Sequence, residues 1–348
     1  MRVGVVGCGY WGAKHIRVLQ SLTEVERVAV IDVREETRNE LCRGFPATRS
    51  LPDLASALPH IDAVIIATPP STHAELALQA LDAGKHVLIE KPMATSVSDA
   101  RRIIDAARTA GRVLMAGHTY EYNPAVWKLR DTIASHELGA VRYIDSARLS
   151  LGLYQRDVNV IWDLAPHDIS IINCILQSTP DRVQVWGSRH AHDRLEDVAY
   201  ILLEYLKIGV AAQIHVSWLD PCKVRRLTVV GSEKMAVYND VAADERLRIY
   251  DKGVASAPTD EAMGGLPMSY RYGSIVTPFI AFREPLRIED QHFVECISHG
   301  RTPKTDGWKG LAVVEVLESI DRALREGRPV GLNEASPGSQ ARDALLPR

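Results

Sequence analysis

Short apolar runs alternating with longer stretches of helical periodicity fill the first third of the chain. Val3–Val6, Val28–Ile31, Ala63–Ala67, His86–Ile89 and Val113–Ala116 read as strands, because continuous apolar character over so few residues marks strands buried on both faces. The lengths between them suit crossover helices, as in Thr72–Leu81, which Ala83-Gly84 brings to a stop. This alternation predicts a doubly wound parallel sheet over residues 1–118.

After Gly139 the pattern changes. Val141–Leu149 is followed by further strands with a two-residue period: in the run Ala211–Leu219, Ile214, Val216 and Trp218 fall on one face and Gln213, His215 and Ser217 on the other. Tight connections at Lys207-Ile208-Gly209 and Gly231-Ser232-Glu233-Lys234 separate consecutive strands. A second, α+β domain is therefore expected over 119–332, with a large, mostly antiparallel open sheet and helices at Gln291–His299 and Leu311–Arg325. The stretch Gly253–Pro285 reads as a long loop placed to cover a substrate, and 333–348 as a loosely ordered tail.

A chain of 348 residues, 46% hydrophobic, exceeds what one core usually organises, in keeping with two domains. A net charge of −3 with scattered Lys and Arg offers no footprint for nucleic acid. No apolar run approaches a membrane span, and the first residues run directly into a strand, leaving no room for a signal peptide; a cytoplasmic protein is expected. Cysteines 8, 42, 174, 222 and 296 lack paired spacing and read as buried thiols, and the histidines form no metal pattern, so no metal is expected.

The first strand runs into Gly7-Cys8-Gly9-Tyr10-Trp11-Gly12. Gly7 allows a tight strand-to-helix turn, Gly9 lets backbone amides approach a pyrophosphate, and Gly12 lets helix and strand pack closely. The phosphates would lie at the positive end of the helix beginning near Trp11, with Tyr10 and Trp11 flanking them. Asp32, twenty residues beyond Gly12, closes the second strand, where a carboxylate can accept both ribose hydroxyls. These features predict a Rossmann domain binding a dinucleotide. Asp32 repels a 2′-phosphate and favours NAD, whereas Arg34 can stack on adenine or pair with that phosphate, which leaves NADP open.

Two further groups carry chemistry. Glu90-Lys91-Pro92 follows Val87-Leu88-Ile89 and puts Lys91 at a carboxyl end of the parallel sheet, where ligands bind. Its ammonium can polarise a carbonyl or alkoxide there; on these residues alone, a solvated lysine before a proline turn fits equally well. Asp163 and His167, four apart, share one face of a helix running to about Leu176, so that one can orient the other and His167, titrating near neutrality, can take a hydroxyl proton. Spacing alone allows Asp163 as a plain N-cap, with Pro166 tolerated in the first turn. Tyr120, Tyr122 and Asn123, just beyond the fifth strand, and Trp162 are placed to line the nicotinamide or sugar site, though tyrosines at such a junction also serve ordinary packing.

Together, Gly7-x-Gly9-x-x-Gly12, Thr68-Pro69-Pro70-x-x-His73, Ala83-Gly84-Lys85-His86-Val87, Glu90-Lys91-Pro92 and Asp163-x-x-x-His167 resemble, in order and over nearly the whole chain, the glucose-fructose oxidoreductase and inositol dehydrogenase (Gfo/Idh/MocA) family. The resemblance implies NAD(P) between a Rossmann domain and an α/β domain, and hydride transfer at a hydroxyl-bearing carbon. It implies that Lys91 contacts the reacting hydroxyl with a cis Lys91-Pro92 bond, that Thr68, Pro69 and His73 lie along the cofactor ribose, and that Glu90 and Lys91 border the cofactor. Many relatives carry glycines where this chain reads Ile161-Trp162-Asp163-Leu164-Ala165-Pro166-His167. The likeness is strongest to members acting on nucleotide-linked sugars, with Asn123-Pro124 after the fifth strand, and carbon three of the hexose as the expected position. A dehydrogenase of free cyclitols or aldoses is the alternative enzyme, and a cofactor-sensing regulator, which need not keep both Lys91 and His167, the alternative class. A sheet without helices on both faces predicts a homodimer or homotetramer formed through it.

Overall fold

The computed structural model describes residues 1–45, 48–152, 154–155, 157–191, 193–256, 268–332 and 334. Its first sheet is six-stranded and parallel: β1 (Arg2–Val6), β2 (Arg27–Ile31), β3 (Thr48–Leu51), β4 (Ala63–Ile66), β5 (His86–Glu90) and β6 (Leu114–Gly117) lie in the order β3-β2-β1-β4-β5-β6. Helices α1 (Tyr10–Leu19), α2 (Glu35–Gly44), α3 (Leu54–Ala57), α4 (His73–Asp82) and α5 (Val97–Ala110) connect them. Strand order reverses between β1 and β4, and at such a switch point a parallel sheet binds ligands at the carboxyl ends of its strands. β3 is the strand that no apolar run announced: Thr-Arg-Ser-Leu pairs only with β2 at the sheet edge and stays partly exposed.

After α6 (Pro124–Ala134) come β7 (Val141–Leu151), α7 (Val160–Leu176), β8 (Arg182–Ser188), β9 (Val198–Tyr205), β10 (Val210–Ser217), β11 (Leu219–Gly231), β12 (Met235–Asn239), β13 (Leu247–Ser256) and β14 (Met268–Val276), and then α8 (Pro285–His299), α9 (Gly307–Glu326) and β15 (Val330–Gly331). The strands form one nine-stranded sheet, mostly antiparallel, with β7 and β10 paired in parallel. Ile144, Ile201, Ile214 and Val216 on one face are buried in a core shared with α7 and α9. Of the described residues in the expected loop over Gly253–Pro285, most are instead sheet: the end of β13 and all of β14, which pair antiparallel at the sheet's edge, with 257–267 outside the described residues. The expected tail also lies outside them, apart from Glu334.

Helix α8 begins six residues before the expected Gln291, because Pro285 occupies its first turn, where a missing N–H costs nothing. It packs back on the first sheet: Phe293 and Val294 share a core with Val3, Val5, Ile16 and Leu19. Among the cysteines only Cys8 and Cys296 are buried; Cys42 and Cys174 are half-buried and Cys222 is exposed, so the reading of all five as buried thiols is corrected. No helix of the described residues is long and apolar enough to cross a membrane.

Candidate active site

The glycine turn has the backbone that the motif requires. Gly7 sits at φ +84°, where a Cβ would lie 2.6 Å from the Ala67 carbonyl oxygen, and a Cβ on Gly12 would fall 2.0 Å from the Gly7 oxygen. A Cβ on Gly9 would meet nothing within 4 Å, so the amides at the start of α1 face open space, as a bound pyrophosphate needs. Asp32 caps this cradle from β2: Oδ2 accepts the Cys8 N–H at 2.9 Å and Oδ1 the Arg34 N–H at 2.9 Å. Burial pushes its carboxyl upward, but the N–H groups of Arg34 and Cys8 and the Arg34 guanidinium outweigh this and hold it below the usual range. An ionised Asp32 keeps lone pairs for ribose hydroxyls. Tyr10 and Trp11 are exposed at the rim, with the Lys14 ammonium over both rings, and Arg34 is exposed beside Asp32. Thr68 and Pro69 follow β4 across the crevice, with Thr68 Oγ1 2.6 Å from Thr72 Oγ1. These residues fit a dinucleotide.

Lys91 leaves the carboxyl end of β5 through a cis Lys91-Pro92 peptide, as the resemblance implied. Its Nζ donates to the Asp163 carbonyl at 2.7 Å and to Asp163 Oδ1 at 3.2 Å. Asp163 is not the cap of its helix. Asn159 holds that place, accepting the Trp162 N–H, so α7 begins earlier than expected, with Asp163 in its first turn and Pro166 inside. Nor does Asp163 orient His167: its second oxygen, Oδ2, accepts the Trp218 Nε1–H at 3.1 Å, and the acid fixes the lysine. His167 stands one turn further along α7, with Nδ1 buried and without a partner among the described residues. Burial, then the charges of Lys91 and Arg148, hold its pKa well below the ordinary 6.5 rather than near neutrality. The ring is therefore neutral at physiological pH and able to accept a proton.

A wall of paired charges holds this face. The Tyr120 ring meets His167 edge-on at 5.0 Å, and the Arg148 guanidinium lies over the Tyr120 ring. Arg148 donates to the Tyr120 hydroxyl at 3.1 Å and, buried, to Asp168 Oδ2 at 2.6 Å. The Tyr120 hydroxyl donates to Asp240, which also takes Arg225, Arg246 and Tyr238. Trp218, Arg148, Asp168 and Asp240 were not among the expected site residues. Asp168 immediately follows His167, but nothing in the linear pattern links it to Arg148 on a distant strand.

Five residues expected at a ligand have side chains engaged with the protein itself. His73 is buried, its Nδ1 2.9 Å from the Pro92 oxygen and its Nε2 2.8 Å from the Thr68 oxygen, and so ties the two loops together. Glu90 is buried and points toward His15. Tyr122 is buried with its hydroxyl on Thr305, and Trp162 donates to Asp321 on α9. Asn123 caps α6 and reaches the site only through Tyr238 and Asp240. Of the expected site residues on the substrate side, the structure brings together Lys91, Asp163, His167 and Tyr120.

Residues 1–118 match the model of an oxidoreductase family with an NAD-binding Rossmann fold, and residues 126–237 match the GFO/IDH/MocA C-terminal domain. UDP-N-acetylglucosamine 3-dehydrogenase of Acidithiobacillus ferrooxidans is 29% identical over 330 residues, which cover 93% of this chain and 97% of that protein. Inositol 2-dehydrogenase 3 of Saccharopolyspora erythraea is 26% identical over 347 residues, 96% of each chain. Among solved structures, GenD2 from gentamicin A biosynthesis in complex with NAD superposes with a TM-score of 0.81 at 26% identity, covering 96% of this chain and 97% of that one.

Proposed function

The chain belongs to the GFO/IDH/MocA oxidoreductase family and carries its NAD-binding Rossmann domain, and from that premise we propose that it moves a hydride between nicotinamide and a secondary hydroxyl of a nucleotide-linked sugar, at carbon three of the hexose. The observation that carries this reading is that Lys91, held by Asp163 at the carboxyl edge of the parallel sheet, stands near enough to the neutral His167 for its charge to lower the imidazole pKa. Similarity along nearly the whole chain to UDP-N-acetylglucosamine 3-dehydrogenase favours a nucleotide-linked substrate. Similarity to inositol 2-dehydrogenases favours a free cyclitol as the second reading. Incubation with NAD and either UDP-N-acetylglucosamine or myo-inositol separates them: NADH is expected with the former and not with the latter.

The dinucleotide would be held by the turn Gly7, Gly9, Tyr10, Trp11 and Gly12, by Asp32 and Arg34 at the adenosine ribose, and by Thr68 and Pro69 across the crevice. When bound, it supplies the acceptor for hydride leaving the alcohol carbon. Every other task falls to side chains of this protein. The Lys91 ammonium donates a hydrogen bond to the substrate oxygen and stabilises the negative charge that grows there. Asp163 fixes the lysine, Trp218 fixes Asp163, and His167 accepts the hydroxyl proton as neutral imidazole.

The depressed pKa of His167 sets the pH response. A base works above its pKa and fails as pH falls through it, so kcat/KM should stay flat from neutral pH to below 6.5. A pH–rate profile whose acid limb bends at or above that value would assign the proton to another group.

Association is proposed through the outer face of the nine-stranded sheet. There Trp186, Tyr200 and His215 stand side by side on β8, β9 and β10, with Trp186 56% and Tyr200 40% exposed. A two-fold axis pairs one surface patch with its own copy, and an exposed row of aromatic rings offers apolar area for such a contact. Trp186→Asp should weaken self-association at least about tenfold by light scattering; an unchanged mass across dilution would place the interface elsewhere.

A further inference from the structure

Behind Lys91 lies a set of buried charges with no part in the proton handling described above. His15, on α1, is fully buried, and each ring nitrogen meets a carboxylate: Nε2 lies 3.0 Å from Glu90 Oε1 and Nδ1 2.8 Å from Asp290 Oδ1. A neutral imidazole has a single N–H, so two short contacts to ionised acceptors call for the imidazolium. Burial pulls the ring's pKa down, but Asp290 and Glu90 together overcome it and hold it well above the ordinary value. The chain of contacts continues to the lysine, because Glu90 Oε2 accepts the Lys91 backbone N–H at 3.1 Å. Three elements are thereby joined at one point: α8, the helix that opens at the glycine turn, and the strand end that carries Lys91.

We propose that His15 and Asp290 are positioning residues for Lys91. The imidazolium clamps Glu90, Glu90 fixes the main chain of Lys91, and the ammonium is thereby held where it meets the substrate oxygen. This rests on the reading of Lys91 as the residue that touches the reacting hydroxyl. The charge in the cluster resides on His15 and its two carboxylates. Glu289 of α8, which takes the Thr119 hydroxyl, is raised well above the usual carboxyl range by burial and by Glu90. His118, after β6, is pushed down to about 4, chiefly by burial. Asp290 is raised by burial against the pull of His15, with Glu90 and Glu284 adding to the rise, and the Lys91 charge helps to keep Glu90 ionised. A cluster that merely glued α8 to α1 would affect stability and leave the pH response of the reaction alone.

The test is Asp290→Asn in the full chain, assayed with NAD and UDP-N-acetylglucosamine. The amide still accepts the Nδ1–H, but the loss of its charge lowers the His15 pKa, so the ring loses its proton as pH rises and Glu90 loses its clamp. The kcat should be within about threefold of wild type near pH 6 and about 10- to 100-fold lower near pH 9, with sugar KM and NAD Kd within about threefold throughout. A profile of unchanged shape, or a loss shared equally by KM and Kd, would overturn the proposal. Nitrogen-15 spectra of the histidine side chains give a second readout that needs neither turnover nor a folded variant. Wild-type His15 should have both nitrogens protonated at about pH 8, and a neutral His15 ring there would overturn the proposal. Wild type that turns over neither UDP-N-acetylglucosamine nor myo-inositol would sink the reading of function, while the spectrum still decides the charge on His15.

Discussion

Replacing Lys91 with alanine is expected to lower kcat by about 10²- to 10⁴-fold while NAD binds within about threefold of wild type. The asymmetry follows from where the side chain goes. Its Nζ is spent on Asp163, on the substrate side of the cleft, whereas the proposed phosphate and ribose contacts come from the glycine turn and Asp32. Removal of the ammonium leaves Asp163 facing Trp218 alone and leaves the substrate oxygen without a cationic donor as charge develops on it. Fluorescence titration with NADH and steady-state rates on the same preparation separate the two effects. Turnover within a factor of about three of wild type would remove Lys91 from the reaction.

The second large effect concerns stability. Arg148 and Asp168 form an ion pair buried on both sides at 2.6 Å, with the Ser146 hydroxyl also donating to Asp168. Burial lowers the pKa of Arg148, and Asp168 more than offsets it, but a guanidinium is so strongly basic that it stays charged even when its partner is removed. Asp168→Ala should therefore cost about 3–5 kcal/mol, the penalty for an uncompensated buried cation. Against a typical total of about 5–15 kcal/mol, that brings the domain close to unfolding. Replacement of both partners by apolar residues of similar volume, as in Arg148→Met with Asp168→Leu, should recover most of the loss. Urea midpoints of the three proteins provide the comparison; a loss below about 1 kcal/mol for Asp168→Ala would mean that Arg148 finds water or another acceptor.

How much of this was legible in the linear chain follows from how each element earns its stability. Strands β1, β2, β4, β5 and β6 are buried on both faces and announce themselves as apolar runs, whereas β3, an edge strand of Thr, Arg, Ser and Leu, has no such signal. The end of β13 and all of β14 fall within the stretch Gly253–Pro285, where glycines and polar residues suggest a loop; their pairing depends on a neighbouring strand rather than on burial. The glycine turn and Asp32 were readable because a dinucleotide constrains local backbone, and Lys91 because it sits directly at a strand end. The orientation of Asp163 was not readable. Helical spacing put it on a face with His167, but its oxygens go to Lys91 and Trp218, 72 and 55 residues away. His15, Glu90 and Asp290 are likewise separated by 75 and 275 residues, and no local periodicity records such a contact. Tyr122 and Asn123 sit beside Tyr120 in sequence yet are turned into the core and onto a helix cap, because a short helical turn sends successive side chains in different directions.

The account rests on one alcohol oxygen being shared by an ammonium and a neutral imidazole. A crystal structure with NAD and whichever of the two sugars is turned over tests this most directly. It should place Lys91 Nζ and a ring nitrogen of His167 each within about 3 Å of the same hydroxyl oxygen; a hydroxyl that reaches only one of them, or neither, would contradict it.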